Sequence, residues 1–318
     1  MVSFGDSLSD VGTYAVNGSP PVGPLRFAAG RYTTNPGAVW TELVAAYYGD
    51  RLTPALQGGF GDAPVNLQGL GFAQGGARVS APGASDYSDS LAQPLTSQLD
   101  HYLSAYGGFN PNQLILLQGG GNDIIHAVIA AAYGYIPQDA VAPLVAAAAT
   151  DLARLVDRVA AAGGQNIAVL NMSDIGASPF AVQNPDLAGA LSQMTQLFND
   201  TLQAQLGVQP KPAHFVLIDA YGFYADALAR YRQYGFQVAN TDVACSLPAI
   251  LNEAAQLGVP DPQAFVENHG WALLCSASTL VAPQADQTYM FADHLHPASR
   301  MQALLAGFVE AQLSARGI

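Results

Sequence analysis

The sequence predicts an α/β fold in which a mainly parallel sheet carries helices on both faces. Short apolar segments alternate with longer segments of helical spacing, and this alternation is typical of βαβ units. The segment Gln113–Leu117 is apolar from its second residue onward, as expected for a strand that is buried on both faces. The chain has 318 residues, of which 50% are hydrophobic, so it can bury a large core. We therefore predict one domain over residues 1–318.

The strands are predicted from short apolar runs that end in turn residues. In chain order, the predicted strands are Val2–Phe4, Gly69–Ala77, Gln113–Leu117, Asn166–Asn171 and His214–Asp219. The second of these runs into a glycine-rich turn.

The helices are predicted from apolar residues at helical spacing and from stop signals such as Gly163-Gly164. In chain order, they are Pro36–Tyr48, Leu91–Tyr106, Asn122–Tyr133, Pro137–Ala162, Asp186–Leu206, Gly222–Tyr231 and Pro297–Arg316. We predict a loop at Gly49–Pro64 and a loop-rich insertion at Gln233–Asp286 that contains one helix, Leu247–Leu257.

The charge balance argues against two classes of partner. The net charge is −13 with 11 Lys and Arg residues, whereas nucleic-acid binding and docking to anionic lipid both need a basic face. No run of about 18 apolar residues predicts a transmembrane helix. Met1 directly precedes a core strand, so we expect it to stand where a leader peptide has been removed.

The two cysteines, Cys245 and Cys275, both lie in the insertion. They can form a disulfide, which would stabilise the fold by about 3–4 kcal/mol, or they can be two separate buried thiols. A disulfide would place the protein in an oxidising compartment, so that we expect it to be secreted, periplasmic or on the cell surface.

Ser7 is the first candidate catalytic residue. It follows the first strand in the turn Gly5-Asp6-Ser7, and the carboxyl edge of a parallel sheet is where ligands bind. A serine hydroxyl is a poor nucleophile until a base accepts its proton. Ser7 therefore needs a base, a group that orients the base, and donors for an oxyanion.

His296 is the candidate base, and Asp293 is the candidate that orients it. A carboxylate three residues before an imidazole in a turn can reach Nδ1 and fix the tautomer of the ring. The alternative is a turn held by the aspartate alone, with His296 capping the next helix. His101 is expected to be exposed and His214 structural. His269 is expected to be structural but could shape a substrate pocket, and His126 could face the site because it lies one helical turn after Asn122.

Asn122 and two glycines are candidates for oxyanion stabilisation. Asn122 follows a glycine-rich turn directly after a buried strand, so its side-chain amide can donate to an oxyanion near Ser7. The alternative is that Asn122 only caps the following helix. The turn Gln74-Gly75-Gly76 offers a further backbone N–H.

These blocks together resemble the SGNH, or GDSL, hydrolases. Four segments stand in the order of that family's motif blocks: Gly5-Asp6-Ser7-Leu8, Gly75-Gly76, Gly120-Gly121-Asn122-Asp123 and Asp293-His294-Leu295-His296. Two further stretches, at 31–40 and 72–77, are similar to the bacterial secreted lipase and esterase branch, which includes phospholipase-like enzymes and autotransporter passengers. The resemblance implies a three-layer α/β/α sandwich with a five-stranded, mainly parallel sheet.

The resemblance also implies a role for each site residue. Ser7 would be the nucleophile, His296 the base and Asp293 its orienting residue. The oxyanion donors would be the backbone N–H groups of Ser7 and Gly76 and the Asn122 side chain. No metal or other cofactor is implied.

One departure from the family pattern affects the second block. That block often begins with asparagine, whereas this chain has Gly71 at that place. Gly75 is therefore the alternative to Gly76 as the second backbone donor.

The implied activity is hydrolysis of a small-molecule or lipid ester through an acyl-enzyme. The alternatives are an acyltransferase or a carbohydrate-ester deacetylase on the same site, and a non-catalytic binding module. Aromatic residues in or beside the insertion could line an acyl pocket or form a satellite core: Tyr221, Phe223, Tyr224, Tyr231, Tyr234, Phe236, Phe265 and Trp271. The loop Gly12–Arg31 could form another wall of the pocket.

Overall fold

The computed structural model describes residues 1–15, 30–59, 62–82, 91–259, 261–269 and 271–318, without the side chains of Asp62, Asn268 and His269. The strands are β1 (Val2–Phe4), β2 (Leu56–Gly59), β3 (Asp62–Asn66), β4 (Leu114–Leu117), β5 (Asn166–Leu170) and β6 (His214–Ile218). The helices are α1 (Trp40–Tyr47), α2 (Leu95–Tyr106), α3 (Gly121–Ala132), α4 (Val141–Ala161), α5 (Pro179–Gln183), α6 (Pro185–Leu206), α7 (Ala220–Ala229), α8 (Leu247–Gln256), α9 (Pro262–His269), α10 (Ala285–Thr288) and α11 (Ser299–Ser314).

The main sheet is parallel and has the strand order β1-β4-β5-β6. Val2 pairs with Ile115, and Leu114 pairs with Asn166, so all four strands run in one direction. Their carboxyl ends therefore lie along one edge, where the turns after Phe4 and Leu117 are neighbours.

Helices cover both faces of this sheet, as the sequence predicts. Alternate residues of β4 point to opposite sides, because side chains alternate along a strand. Leu114 and Leu116 belong to a core shared with α1, α7 and α11. Ile115 and Leu117 belong to a core shared with α2, α3, α4 and α6. The result is the predicted three-layer arrangement.

The prediction of five strands is wrong, because the main sheet has four strands within the described residues. The segment predicted as a strand at Gly69–Ala77 pairs with β1 only around Ser3, which donates to Leu70 O and accepts from Phe72 N. Gly71 bonds instead to Thr53 and Ala55 on its other side. The chain then turns away where Gln74 N donates to Gly5 O, so the pairing stays at single bridges.

The predicted loop Gly49–Pro64 contains most of an antiparallel pair instead, formed by β2 and β3. A Cβ atom at Gly58 would lie 2.7 Å from Pro64 Cα, so this close approach of two backbones requires glycine. Glycine and proline are depleted in strands, which is why the sequence pattern missed this pair.

The insertion contains more helix than predicted, because α9 and α10 accompany α8. Cys245 and Cys275 form a disulfide within it, with their Cα atoms 5.6 Å apart. The backbone N–H of Cys245 donates to Ala292 O over 3.1 Å. The disulfide therefore lies against the segment that leads into Asp293. Within the described ranges, no helix has the length and apolarity required to cross a membrane.

Candidate active site

The turn after β1 is built by its own side chains. Asp6 accepts from Leu8 N over 3.0 Å and so caps a short 3₁₀ turn over Ser7–Ser9. A Cβ atom at Gly5 would lie 2.7 Å from Gln118 O, so the turn passes too close to the end of β4 for any larger residue. Ser7 is thereby held at the sheet edge, 8% exposed, and it lines a cleft.

His296 reaches Ser7 from the other end of the chain. Its Nε2 lies 2.9 Å from Ser7 Oγ, and its Nδ1 lies 2.8 Å from Asp293 Oδ2. A carboxylate accepts hydrogen bonds and does not donate, so we assign the ring proton to Nδ1. Nε2 is then free to accept the Ser7 hydroxyl proton, which is the arrangement that general-base activation needs.

Asp293 is a buried carboxylate with more than one donor. Its Oδ1 accepts from the backbone N–H groups of Leu295 and His296, and its Oδ2 accepts from Ala272 N over 3.0 Å. Burial alone would raise its pKa, but the His296 charge, the bond from its ring and these backbone bonds outweigh burial and lower the pKa. The sequence left open whether Asp293 holds only the turn or also orients the imidazole. Asp293 does both, because it accepts backbone N–H groups of the turn and also bonds to Nδ1 of His296.

Asn122 lies inside α3 and does not cap it. The residue before the helix is Gly120, with φ of +113°, and no side chain caps this end. Asn122 lines the cleft, and its Nδ2 donates to Ala77 O over 2.8 Å. This bond uses one amide hydrogen and leaves the second for a ligand.

The two glycines of the second block differ in what their N–H groups do. Gly75 N donates to Asp10 Oδ2 over 2.9 Å. Gly76 has a φ of +78° and lines the cleft beside Ser7. Within the described part of the chain, the N–H groups of Ser7 and Gly76 have no hydrogen-bond acceptor.

The cleft has a volume of about 770 Å³, within the range of small-molecule sites. Its lining residues come from α3, α5, α6 and α7, from the insertion and from the turns between them. The larger apolar lining residues are Leu8, Ile125, Ile129, Met172, Ile175, Phe180, Leu187, Leu228, Leu247, Val266, Trp271, Phe291 and Leu295.

The aromatic residues in or beside the insertion take both predicted roles. Trp271 and Tyr224 line the cleft and also belong to a buried core. Phe223, Phe236 and Phe265 are buried in the core beside α7 and α11. Of the loop Gly12–Arg31, residues 16–29 lie outside the described residues, so its predicted wall has no structural account.

The remaining histidines occupy varied places. His126 and His294 line the cleft, and burial lowers the pKa of His294, which packs on Trp271 with ring centroids 4.3 Å apart. His101 is half-buried against Phe72 rather than fully exposed. His214 has a buried Nδ1 with no hydrogen-bond partner in the described part of the chain, and the side chain of His269 lies outside the described residues.

Three buried carboxyls around the turns were missed by the sequence reasoning. Burial raises the pKa of Asp6, Asp10 and Asp123 to about 6 each, although backbone N–H bonds oppose the shift. Each accepts a backbone N–H from one of the turns that form the site: Leu8, Gly75 and Val79, respectively. An aspartate inside a glycine-rich turn was the available signal. Among the described residues, no cluster of His, Cys, Asp and Glu could hold a metal ion.

Comparison with known proteins gives a consistent set of similarities. The family model described as GDSL-like Lipase/Acylhydrolase matches residues 1–308. A GDSL esterase/lipase of Arabidopsis thaliana is 24% identical, over 95% of this chain and 84% of its own length. A second from the same plant is 25% identical, over 84% of each protein. An uncharacterized Pseudomonas putida protein from a trpE–trpG intergenic region is 28% identical, and the match spans 84% of this chain but 44% of that protein.

Proposed function

Because this chain belongs to the GDSL-like lipase/acylhydrolase family, we propose that it hydrolyses carboxylic esters with Ser7 as nucleophile, His296 as base and Asp293 as the group that orients the base. Relatives named as esterases or lipases support the reaction class at the level of the family. The observation that carries the assignment is the bond of 2.9 Å between His296 Nε2 and Ser7 Oγ at the cleft.

The first half of the proposed reaction acylates Ser7. His296 Nε2 accepts the hydroxyl proton while Oγ forms a bond to the ester carbonyl carbon. The carbonyl π electrons move onto oxygen, and the oxyanion accepts from Ser7 N, Gly76 N and the free Asn122 amide hydrogen. The bond to the alcohol oxygen then breaks, and His296 returns the proton to that oxygen.

The second half releases the acid. Water gives a proton to His296 Nε2 and its oxygen attacks the acyl carbon, after which Ser7 Oγ leaves and regains the proton. Asp293 stays ionised throughout and stabilises the imidazolium that forms twice in the cycle. Gly76 is preferred over Gly75 as donor because the Gly75 N–H is already bound to Asp10.

Substitution of Ser7 tests this proposal. Ser7→Ala is expected to abolish hydrolysis of p-nitrophenyl butyrate and labelling by a fluorophosphonate probe. The matched control is Ser3→Ala, which removes a buried hydroxyl on β1 that has no hydrogen-bond partner among the described residues and should leave both readouts unchanged. A Ser7→Ala enzyme within twofold of the wild-type rate would overturn the mechanism.

The cleft also supports a preference within the ester class. Apolar side chains make up much of its lining, which suits an ester with an extended apolar acyl chain. We expect kcat/KM for p-nitrophenyl esters to rise from acetyl through butyryl to octanoyl. A flat or falling series would contradict this preference.

We further propose that the protein acts in an oxidising compartment, as a member of the secreted lipase and esterase branch. The Cys245–Cys275 disulfide supports this placement. Thiol alkylation of the protein taken directly from its cells is the test. Free thiols at both positions would contradict the proposal.

A further inference from the structure

Gln118 lies directly between two parts of the proposed site. It follows β4 and precedes the glycine turn that leads to Asn122. It is 2% exposed, and its backbone N–H donates to Phe4 O, the last residue of β1. The mechanism above assigns nothing to this side chain, although it lies beneath the turn that carries the nucleophile.

Both ends of the Gln118 side chain bond to that turn. Nε2 donates to Asp6 Oδ2 over 2.9 Å, and Oε1 accepts from Ser9 Oγ over 2.9 Å. Asp6 and Ser9 flank Ser7 on either side. Gln118 therefore spans the 3₁₀ turn from below with one donor and one acceptor.

Asp6 and Ser9 each make a further hydrogen bond besides the one to Gln118. Asp6 Oδ1 accepts from Leu8 N over 3.0 Å, and Ser9 Oγ accepts from the Trp40 indole N–H over 3.1 Å. The turn is thus tied to β4 and to α1 through groups that are buried away from water. In such surroundings hydrogen bonds are stronger and their directions are fixed.

We propose that Gln118 is a positioning residue for ester hydrolysis, because it sets the Ser7 turn at a fixed distance from the loop that carries Asn122. The inference rests on the proposed function, in which Ser7 Oγ and N–H and the Asn122 amide must converge on one carbonyl group. Misplacement of reacting groups by about 1 Å can lower rates by about 100-fold, so this bridge acts on kcat.

The charge of Asp6 supports the same role. Burial raises the Asp6 pKa, whereas the bonds from Leu8 N and Gln118 and the His296 charge oppose that shift. His296 and Asp123 are the charged groups that interact with Asp6. Without the Gln118 donor, Asp6 would be protonated more readily and would hold Leu8 N less firmly.

A set of four variants tests the bridge. Gln118→Met keeps the side-chain length and removes both bonds. Asp6→Asn turns an amide donor toward the Gln118 donor, and Gln118→Glu places two buried carboxyls face to face. Each single variant is expected to lower kcat for p-nitrophenyl butyrate by about 10–100-fold, with KM within about threefold of wild type.

The double variant Asp6→Asn/Gln118→Glu restores the hydrogen bond between the two side chains, with the donor now at position 6 and the acceptor at position 118. The new amide can donate to the new carboxylate, and the Ser9 hydroxyl can still donate to the other carboxylate oxygen. We expect kcat within about fivefold of wild type. If the single variants lowered kcat only by destabilising the fold, a second buried substitution would not recover kcat.

Gln302→Met is the control for stability. Gln302 is fully buried, and its Oε1 accepts from Trp40 N, so its loss should lower the melting temperature about as much as Gln118→Met while kcat stays within twofold. The proposal is overturned if Gln118→Met has wild-type kcat or if the double variant is no better than the weaker single variant.

Hydrogen exchange at Leu8 separates this proposal from the proposed function. Loss of the bridge should speed exchange of the Leu8 amide about tenfold or more relative to Gln302→Met. An inactive wild-type protein would overturn the proposed function, whereas unchanged exchange at Leu8 in Gln118→Met would overturn the role of Gln118.

Discussion

The two halves of the site are held in place by different means. In the proposed mechanism, one half of the site carries the nucleophile and the other carries the base. The nucleophile half consists of the turns that carry Ser7, Gly76 and Asn122, which follow β1 and β4 or are bridged to them. The base half is the Asp293–His296 loop, which lies in the chain between α10 and α11 rather than after a strand of the main sheet. Its carboxylate is bound by Ala272 N from the disulfide-linked insertion.

The two halves also differ in the pKa values of their buried carboxyl groups. In the nucleophile half, Asp6, Asp10 and Asp123 have pKa values raised to about 6 because burial outweighs their hydrogen bonds. In the base half, the pKa of Asp293 is lowered, because the His296 charge and several donors outweigh burial. In the nucleophile half the carboxyls accept hydrogen bonds from the backbone N–H groups of the turns. In the base half the carboxylate also bonds to the imidazole of His296.

The largest expected effect comes from breaking the base half. Asp293→Asn should lower kcat by about 1,000–10,000-fold, because an amide can present the wrong tautomer of His296 to Ser7. Steady-state kinetics with p-nitrophenyl butyrate are the measurement. Asp242→Asn removes a nearby carboxylate that interacts with His294, and it should leave kcat within about twofold. Equal losses in both variants would contradict a specific role for Asp293.

The next effect tests the nucleophile half. Asn122→Ala should lower kcat by about 100–1,000-fold with little change in KM, because one oxyanion donor is lost. The matched control is Asn166→Ala at the opposite edge of the sheet. Its amide also donates to a single backbone carbonyl, that of Pro111, over 2.9 Å. A decrease in stability without a decrease in kcat would show that Asn122 only supports Ala77.

Removal of the disulfide should affect the two halves unequally. Cys245→Ser/Cys275→Ser should lower the free energy of unfolding by about 3–4 kcal/mol, as measured by chemical denaturation. Hydrogen exchange should accelerate more at the Ala272 amide, which bonds to Asp293, than at the Leu8 amide, which bonds to Asp6. Equal acceleration at both amides would mean that the insertion supports the whole fold rather than the base half.

The smallest effect is the dependence of stability on pH. Acids with raised pKa bind more protons in the folded state between pH 3.8 and about 6, so acidification through this window stabilises the fold. From pH 7 to pH 5 we expect each of the three carboxyls to increase the free energy of unfolding by about 1 kcal/mol. The contribution of Asp293 has the opposite sign and is lost only below pH 3.8, as pH falls through its lowered pKa.

Thermal unfolding measured at a series of pH values checks this sign. The melting temperature should rise from pH 7 to pH 5 as the three carboxyls become protonated. Asp10→Asn should flatten the stability profile, whereas the exposed control Asp139→Asn should not. A melting temperature that falls from pH 7 to pH 5 would contradict the raised pKa values.

The sequence predicted the central strands well because their apolar runs are unambiguous. It failed at Gly69–Ala77 and at β2 and β3, where glycines let two backbone segments approach closely and the pairing is set by tertiary contacts. Pattern arguments treat glycine as a turn signal and so cannot distinguish a close approach from a loop.

The candidate site shows a similar division. Ser7 and Asn122 each follow a predicted strand, which suffices to predict that both lie at one edge of the sheet, whereas His296 follows no strand and is a candidate through its spacing from Asp293. The support of those residues could not be predicted, because Gln118 follows an apolar run with no special pattern and Ala272 contributes only its backbone N–H. Such partners become visible only when the fold sets two distant segments side by side.

The separation of 289 residues between Ser7 and His296 has a consequence for protein synthesis. A ribosome that adds roughly 5–20 residues per second makes Ser7 roughly 15–60 s before His296. Under the proposed mechanism, Ser7 lacks its base throughout that interval, so the nascent chain would not attack esters around it. Activity would then begin only when the loop before α11 docks, and its onset would report completion of the fold.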